Sequence, residues 1–135
     1  MINNAIAVVV GLAVGMAVNM GLVVANMALF PAPEGFNWED PVVVSEYLAA
    51  LPILAFLIVL AAHLGQAFVG GWVAAKISKA NPMGVALTVG ALSLAGGIMN
   101  MMQLPHPTWM WIEMPLYLVV AWAAGNLERS RRQAI

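Results

Sequence analysis

MINNAIAVVVGLAVGMAVNMGLVVANMALFPAP, residues 1–33, contains no Asp, Glu, Lys or Arg. An α-helix needs about 20 predominantly apolar residues to cross the hydrocarbon layer of a bilayer, and this run exceeds that length. A secretory signal opens on a positive segment followed by a shorter apolar run. That pattern is missing here, so the stretch reads as a transmembrane helix that is retained rather than cleaved.

Working outward, Tyr47–Ala75 and Pro82–Leu104 are also free of formal charge, and Trp109–Gly125 holds one carboxylate, Glu113. The expected fold is therefore all-α: a four-transmembrane-helix bundle with spans near residues 5–30, 47–75, 82–104 and 109–126, forming one membrane domain over 1–135. The fourth span is the shortest, and a re-entrant segment is its competing topology. Trp109 and Trp111 at its start suit an interfacial aromatic belt.

Composition agrees. The 135 residues are 63% hydrophobic and 8% charged, against about 25% charged in soluble domains. With no cysteine, disulfides, thiolate metal sites and thiol catalysis are excluded. Nucleic acid is not an expected partner, because phosphate binding needs a basic stripe. The five Lys and Arg (Lys76, Lys79, Arg129, Arg131 and Arg132) instead flank the spans on one side. By the positive-inside rule that side is cytoplasmic, which gives cytoplasmic N- and C-termini and leaves Glu34, Glu39, Asp40, Glu46 and Glu113 on or near the outside. The expected location is a cell membrane with this side facing the cytoplasm. The tail arginines read as lipid-headgroup contacts that fix topology.

Residues 26–33, NMALFPAP, align without gaps to residues 100–107, NMMQLPHP. In that register Asn19 meets Ser93, Glu39 meets Glu113 and Pro41 meets Pro115, which raises two repeated helical hairpins as a candidate substructure. Pro-x-Pro at a helix exit is equally an ordinary stop signal.

At about 100° per residue, each helix gathers small and polar residues on one face. These faces are Gly11, Gly15, Asn19 and Asn26; His63, Gln66, Gly70 and Ala74; Ala86, Gly90, Ser93, Gly97 and Asn100; and Glu113, Tyr117 and Ala124. Such faces let helices approach closely and hydrogen-bond to one another, at about 0.6–2 kcal/mol per bond. They are also what a solute path requires. The intramembrane polar seam is thus Asn19, Asn26, His63, Gln66, Ser93, Asn100, Glu113 and Tyr117. A monomer is expected to close around it, so a path would need helix movement or an oligomer.

Within the seam, His63 is expected to bond Asn19 or a backbone carbonyl, with proton relay, gating or metal ligation as alternatives. Glu113 is expected to be a boundary carboxylate, solvated near the N-terminus of the last helix, where the helix dipole favours it. Met99, Met102 and Met110 with His106 form a weak soft-metal set, since thioethers suit Cu(I), but Met is also a flexible gap-filler. No cofactor is expected. No nucleophile, base and orienting group occur together, so no enzyme is expected.

The Asn-Met pairs, His63-Leu64-Gly65 ahead of Gly70-Gly71, and Gly96-Gly97 ahead of Leu104-Pro105-x-Pro107-x-Trp109 resemble small uncharacterised four-span inner-membrane proteins of bacteria. The resemblance implies no activity and no site. Small multidrug-resistance proteins differ in carrying an acid in helix one. The leading functional expectation is a non-enzymatic accessory or scaffold subunit in the lipid bilayer, packing with itself as a homo-oligomer or with a larger membrane complex. The alternative is a small transporter or channel whose path is lined by Asn19, His63, Ser93, Asn100 and Glu113.

Overall fold

The structure is a computed structural model that describes residues 2–134; the first and last residues of the expected 1–135 domain lie outside the described residues. It is all-helical, with α1 (Ile2–Leu29), α2 (Pro41–Ala50), α3 (Ile53–Ile77), α4 (Pro82–Gln103), a 3-10 turn (Thr108–Ile112) and α5 (Glu113–Gln133). Three segments, Asn3–Leu29, Ile53–Ile77 and Pro82–Gln103, are long and apolar enough to cross a membrane. Their outward surfaces expose large apolar side chains such as Val9, Val24, Ile53 and Leu57, as lipid-facing helices do. The chain has the character of a membrane protein.

The expected helix over 47–75 is two helices. Proline restricts the residue before it to extended backbone, and Leu51 accordingly has φ −69° and ψ 140°. α2 ends at Ala50 and α3 restarts after Pro52. Asp40 caps α2 by accepting hydrogen bonds from the amides of Val42 and Val43, and Pro41 stands in the first turn, where its missing N–H costs nothing. Asn81 and Pro82 open α4 in the same way.

α3 is central. It packs along α1 on one side and against α4 and α5 on the other, while α4 also packs on α5. The α1–α3 contact is backbone against backbone: a Cβ on Gly11 would lie 2.5 Å from the Gly70 carbonyl oxygen, and one on Gly15 2.5 Å from that of Gln66. Gly90 of α4 makes room for the Ala121 side chain of α5. α1 and α4 meet near the end of the bundle that carries the basic residues, where Ala7, Ala74, Val85 and Val89 form an apolar cluster.

That basic end is clamped. Arg131 and Arg132 both donate to the Glu128 carboxylate, and Arg132 donates further to the carbonyls of Ala75 and Ser78 at the end of α3, each at 2.7 Å. Arg131 and Arg132 thus also make contacts within the chain, beside the lipid role expected of the tail arginines. Glu128 exposes no surface, but what covers it is the pair of guanidinium groups. Hydrogen bonding from Arg131, joined by Arg132 and opposed by burial, holds its carboxyl down at about 2.

Beyond the two exit motifs the ungapped repeat register does not follow the packing. It sets α5 against α2, yet the helix packed along α1 is α3. It also sets Glu113, fully buried, against Glu39, which lies exposed before α2.

Candidate functional site

α1 and α4 lean together at the basic end and leave space between them toward the acidic end. That space is a cavity of about 400 Å³, bounded by α1, α3, α4 and α5, within the range of about 300–1,000 Å³ typical of ligand pockets. The single chain is not packed solid there: Gly96, Gly97 and Ser93 border a void within it.

Asn19, Asn26, His63, Gln66, Ser93, Asn100 and Tyr117 all line it, so the structure gathers every expected seam residue there except Glu113. The floor is hydrogen-bonded. Asn19 Nδ2 donates to Gln66 Oε1, and Gln66 Nε2 donates to Ser93 Oγ at 3.4 Å, linking α1, α3 and α4. Directly below lie the Gly11, Gly15 and Gly70 contacts, so the floor rests on close-packed backbone.

His63 does not bond Asn19 or a backbone carbonyl as expected. Its Nδ1 lies 3.2 Å from both carboxylate oxygens of Glu113, and Tyr117 stacks alongside, with ring centroids 6.4 Å apart. Glu113 has no exposed surface, which corrects its expected role as a solvated boundary residue. A buried carboxylate is tolerable only with a charge or hydrogen-bond partner, and His63 supplies one from the neighbouring helix. With Glu113 ionised, Nδ1–H donates to it, and Nε2 is left as an acceptor in the neutral ring or a donor in the protonated one. No described residue takes a hydrogen bond with Nε2. His63 thus offers the cavity one ring nitrogen, Nε2, while Nδ1 is held by a hidden carboxylate. Ser93, by contrast, is engaged by Gln66, which gives it no base.

At the acidic end the cavity is bordered by Trp38 from the loop after α1, Tyr47 and Leu48 from α2, and Leu51 just beyond it. Phe36, Trp38 and Tyr47 form an edge-to-face cluster, and Tyr47 Oη donates to the Phe30 carbonyl at 2.8 Å. α2 is thereby tied to the end of α1 as a short lid. His106 also reaches the wall; its Nδ1 lies 3.1 Å from the Leu104 carbonyl. Burial lowers its pKa, outweighing that bond, so it favours the neutral ring.

The soft-metal set is not assembled. Met99 and Met102 are exposed on α4, whereas Met110 is buried against Phe56 and Met101. Among the described residues no three His, Cys, Asp or Glu side chains group as metal ligands.

Comparison with known proteins finds no matching family model, no matching curated protein and no matching solved structure.

The sequence reading missed the His63–Glu113 pair and the lid. Both left a signal. His63 is the one histidine deep in a span and Glu113 the one carboxylate in a span, and two costly groups in an apolar setting are natural partners. Leu51-Pro52 marked the break that frees α2.

Proposed function

We propose that this chain is a four-span membrane protein that binds a small solute between α1, α3, α4 and α5 and carries it across the bilayer by rearranging around that site. One observation carries the reading: a cavity of about 400 Å³ in a single chain, with a polar floor and a separate lid helix. Packing alone would favour filling such a void, because helices in lipid associate through close contact. An accessory or scaffold role accounts for the glycine contacts but gives no use to the cavity.

α5 is the proposed fourth span. Its uncharged part from Met114 to Leu127 and its pairing with α3 through His63 and Glu113 support this. Since all five Lys and Arg belong to the basic end, the positive-inside rule places that end and both termini in the cytoplasm. The cavity then faces outward, across a bacterial inner membrane. The two Asn-Met exits, which bring Asn26 and Asn100 to opposite walls of the cavity, support a duplicated hairpin that has since diverged. No enzymatic step is proposed.

The absence of cysteine makes a direct test simple. Asn100→Cys and Ser93→Cys variants are treated in oriented vesicles with a membrane-impermeant thiosulfonate from either side. Modification of Asn100→Cys from the outside is expected, with Ser93→Cys reached from the inside only in a second conformation. If neither residue reacts from either side, the cavity is dry structural space and the scaffold role replaces this one.

A further inference from the structure

We infer that the solute is an uncharged amphiphile, with an apolar body and a hydroxyl or amide N–H that donates a hydrogen bond to Asn26, and that it enters sideways from the outer leaflet. This rests on the reading of the cavity as a binding site.

The first argument is charge. No Asp, Glu, Lys or Arg lines the cavity. The nearby carboxylate, Glu113, has no exposed surface and turns both oxygens onto His63. A charged solute would give up its water and meet no free opposite charge, which disfavours it strongly.

Asn26 provides the second. It lies on the α1 wall with 9% of its surface exposed, and its Oδ1 is buried without a hydrogen-bond partner. Buried acceptors are normally satisfied. A donor on the solute would satisfy this one, and the His63 ring on the facing wall offers a second polar contact. Above the floor, the lining is dominated by flexible or flat apolar groups such as Met20, Met27 and Phe56, which adapt to an apolar body.

The third argument concerns access. Met16, Met20 and Met27 line the cavity yet are 48%, 50% and 46% exposed. They recur near helical spacing along one stripe of α1, beside exposed Gly96 of α4. The cavity is therefore continuous with the outward surface between α1 and α4, which faces hydrocarbon in a membrane. A membrane-dissolved amphiphile can enter there without passing the lid.

Trp38 borders the cavity and reports on it. With the full chain in lipid nanodiscs, quenching of Trp38, isolated by subtracting the Trp38→Phe variant, is measured for four probes: ω-bromoundecanol, ω-bromoundecanoate, its trimethylammonium counterpart and bromoundecane. The expected result is saturable quenching by the alcohol, reversed by excess undecanol, with the other three at least tenfold weaker. Asn26→Leu should weaken the alcohol about tenfold and leave bromoundecane unchanged. Stronger binding of either charged probe overturns the uncharged class while leaving a binding cavity in place. Equal binding of the alcohol and bromoundecane in the wild-type chain overturns the role of Asn26. Linear, unsaturable quenching by all four removes the site, and the proposed function with it.

Discussion

Nδ1 of His63 in α3 lies 3.2 Å from each carboxylate oxygen of Glu113 in α5, and Glu113 exposes no surface. Each group makes the other's burial tolerable, so the pair is coupled rather than two independent contributions. His63→Ala should cost about 3–5 kcal/mol, because it strands a buried carboxylate. Removing both groups, as in His63→Ala with Glu113→Ala, should cost clearly less than the sum of the two single changes. Unfolding of the four proteins in matched micelles closes the double-mutant cycle; simple additivity would show that the groups do not depend on one another.

Close backbone approach makes some glycines irreplaceable and leaves others free. A Cβ on Gly70 would sit 2.6 Å from the Gly11 carbonyl oxygen, whereas one on Gly21 meets nothing within 4 Å. Gly70→Ala and Gly15→Ala are expected to destabilise by about 1–3 kcal/mol through overpacking. Gly21→Ala should be neutral or slightly stabilising, since alanine is the better helix former. Thermal unfolding of the three variants in one lipid gives the comparison, and equal effects would rule out the contact as the cause.

Pro52 separates the lid from the span beneath it. Pro52→Ala removes the restriction on Leu51, so α2 is expected to continue into α3 and draw Tyr47 away from the Phe30 carbonyl. The rate of thiol modification at Asn100→Cys should then rise severalfold on the Pro52→Ala background. An unchanged rate would mean that α2 does not limit access to the cavity.

Glu128 ties the tail to the end of α3, and its carboxyl is held at about 2, below the usual 4.5. A carboxyl depressed on folding stabilises fully above its unfolded pKa, and the contribution fades as pH falls through the folded one. The difference in thermal midpoint between the wild-type chain and Glu128→Gln should thus be constant above about pH 5 and shrink between about pH 4.5 and 2. A difference independent of pH in that window would assign the effect to packing. Arg132→Ala, which also abandons the Ala75 and Ser78 carbonyls, should cost roughly 1–3 kcal/mol at neutral pH.

The helical class and three apolar spans were legible in the sequence because each depends on local quantities: run length, charge and the 100° period. Asn19, Gln66 and Ser93 were assigned to facing surfaces on that basis, and they do meet. The pairing of Glu128 with Arg131 and Arg132, at i+3 and i+4, and the reach of Arg132 across to α3 were read only from the structure.

What the sequence by itself determined, then, is which segments suit lipid and which face of each helix turns inward, because hydrophobicity and periodicity act residue by residue along the chain. Only the tertiary structure decided that His63 answers Glu113, that α1 and α4 part to leave a cavity, and that Asn26 faces it without a partner. Those outcomes depend on how close the backbones come at Gly11, Gly70 and Gly90, and on the angle at which whole helices then diverge. Such an angle is a property of packed pairs of helices, and no single stretch of sequence contains it.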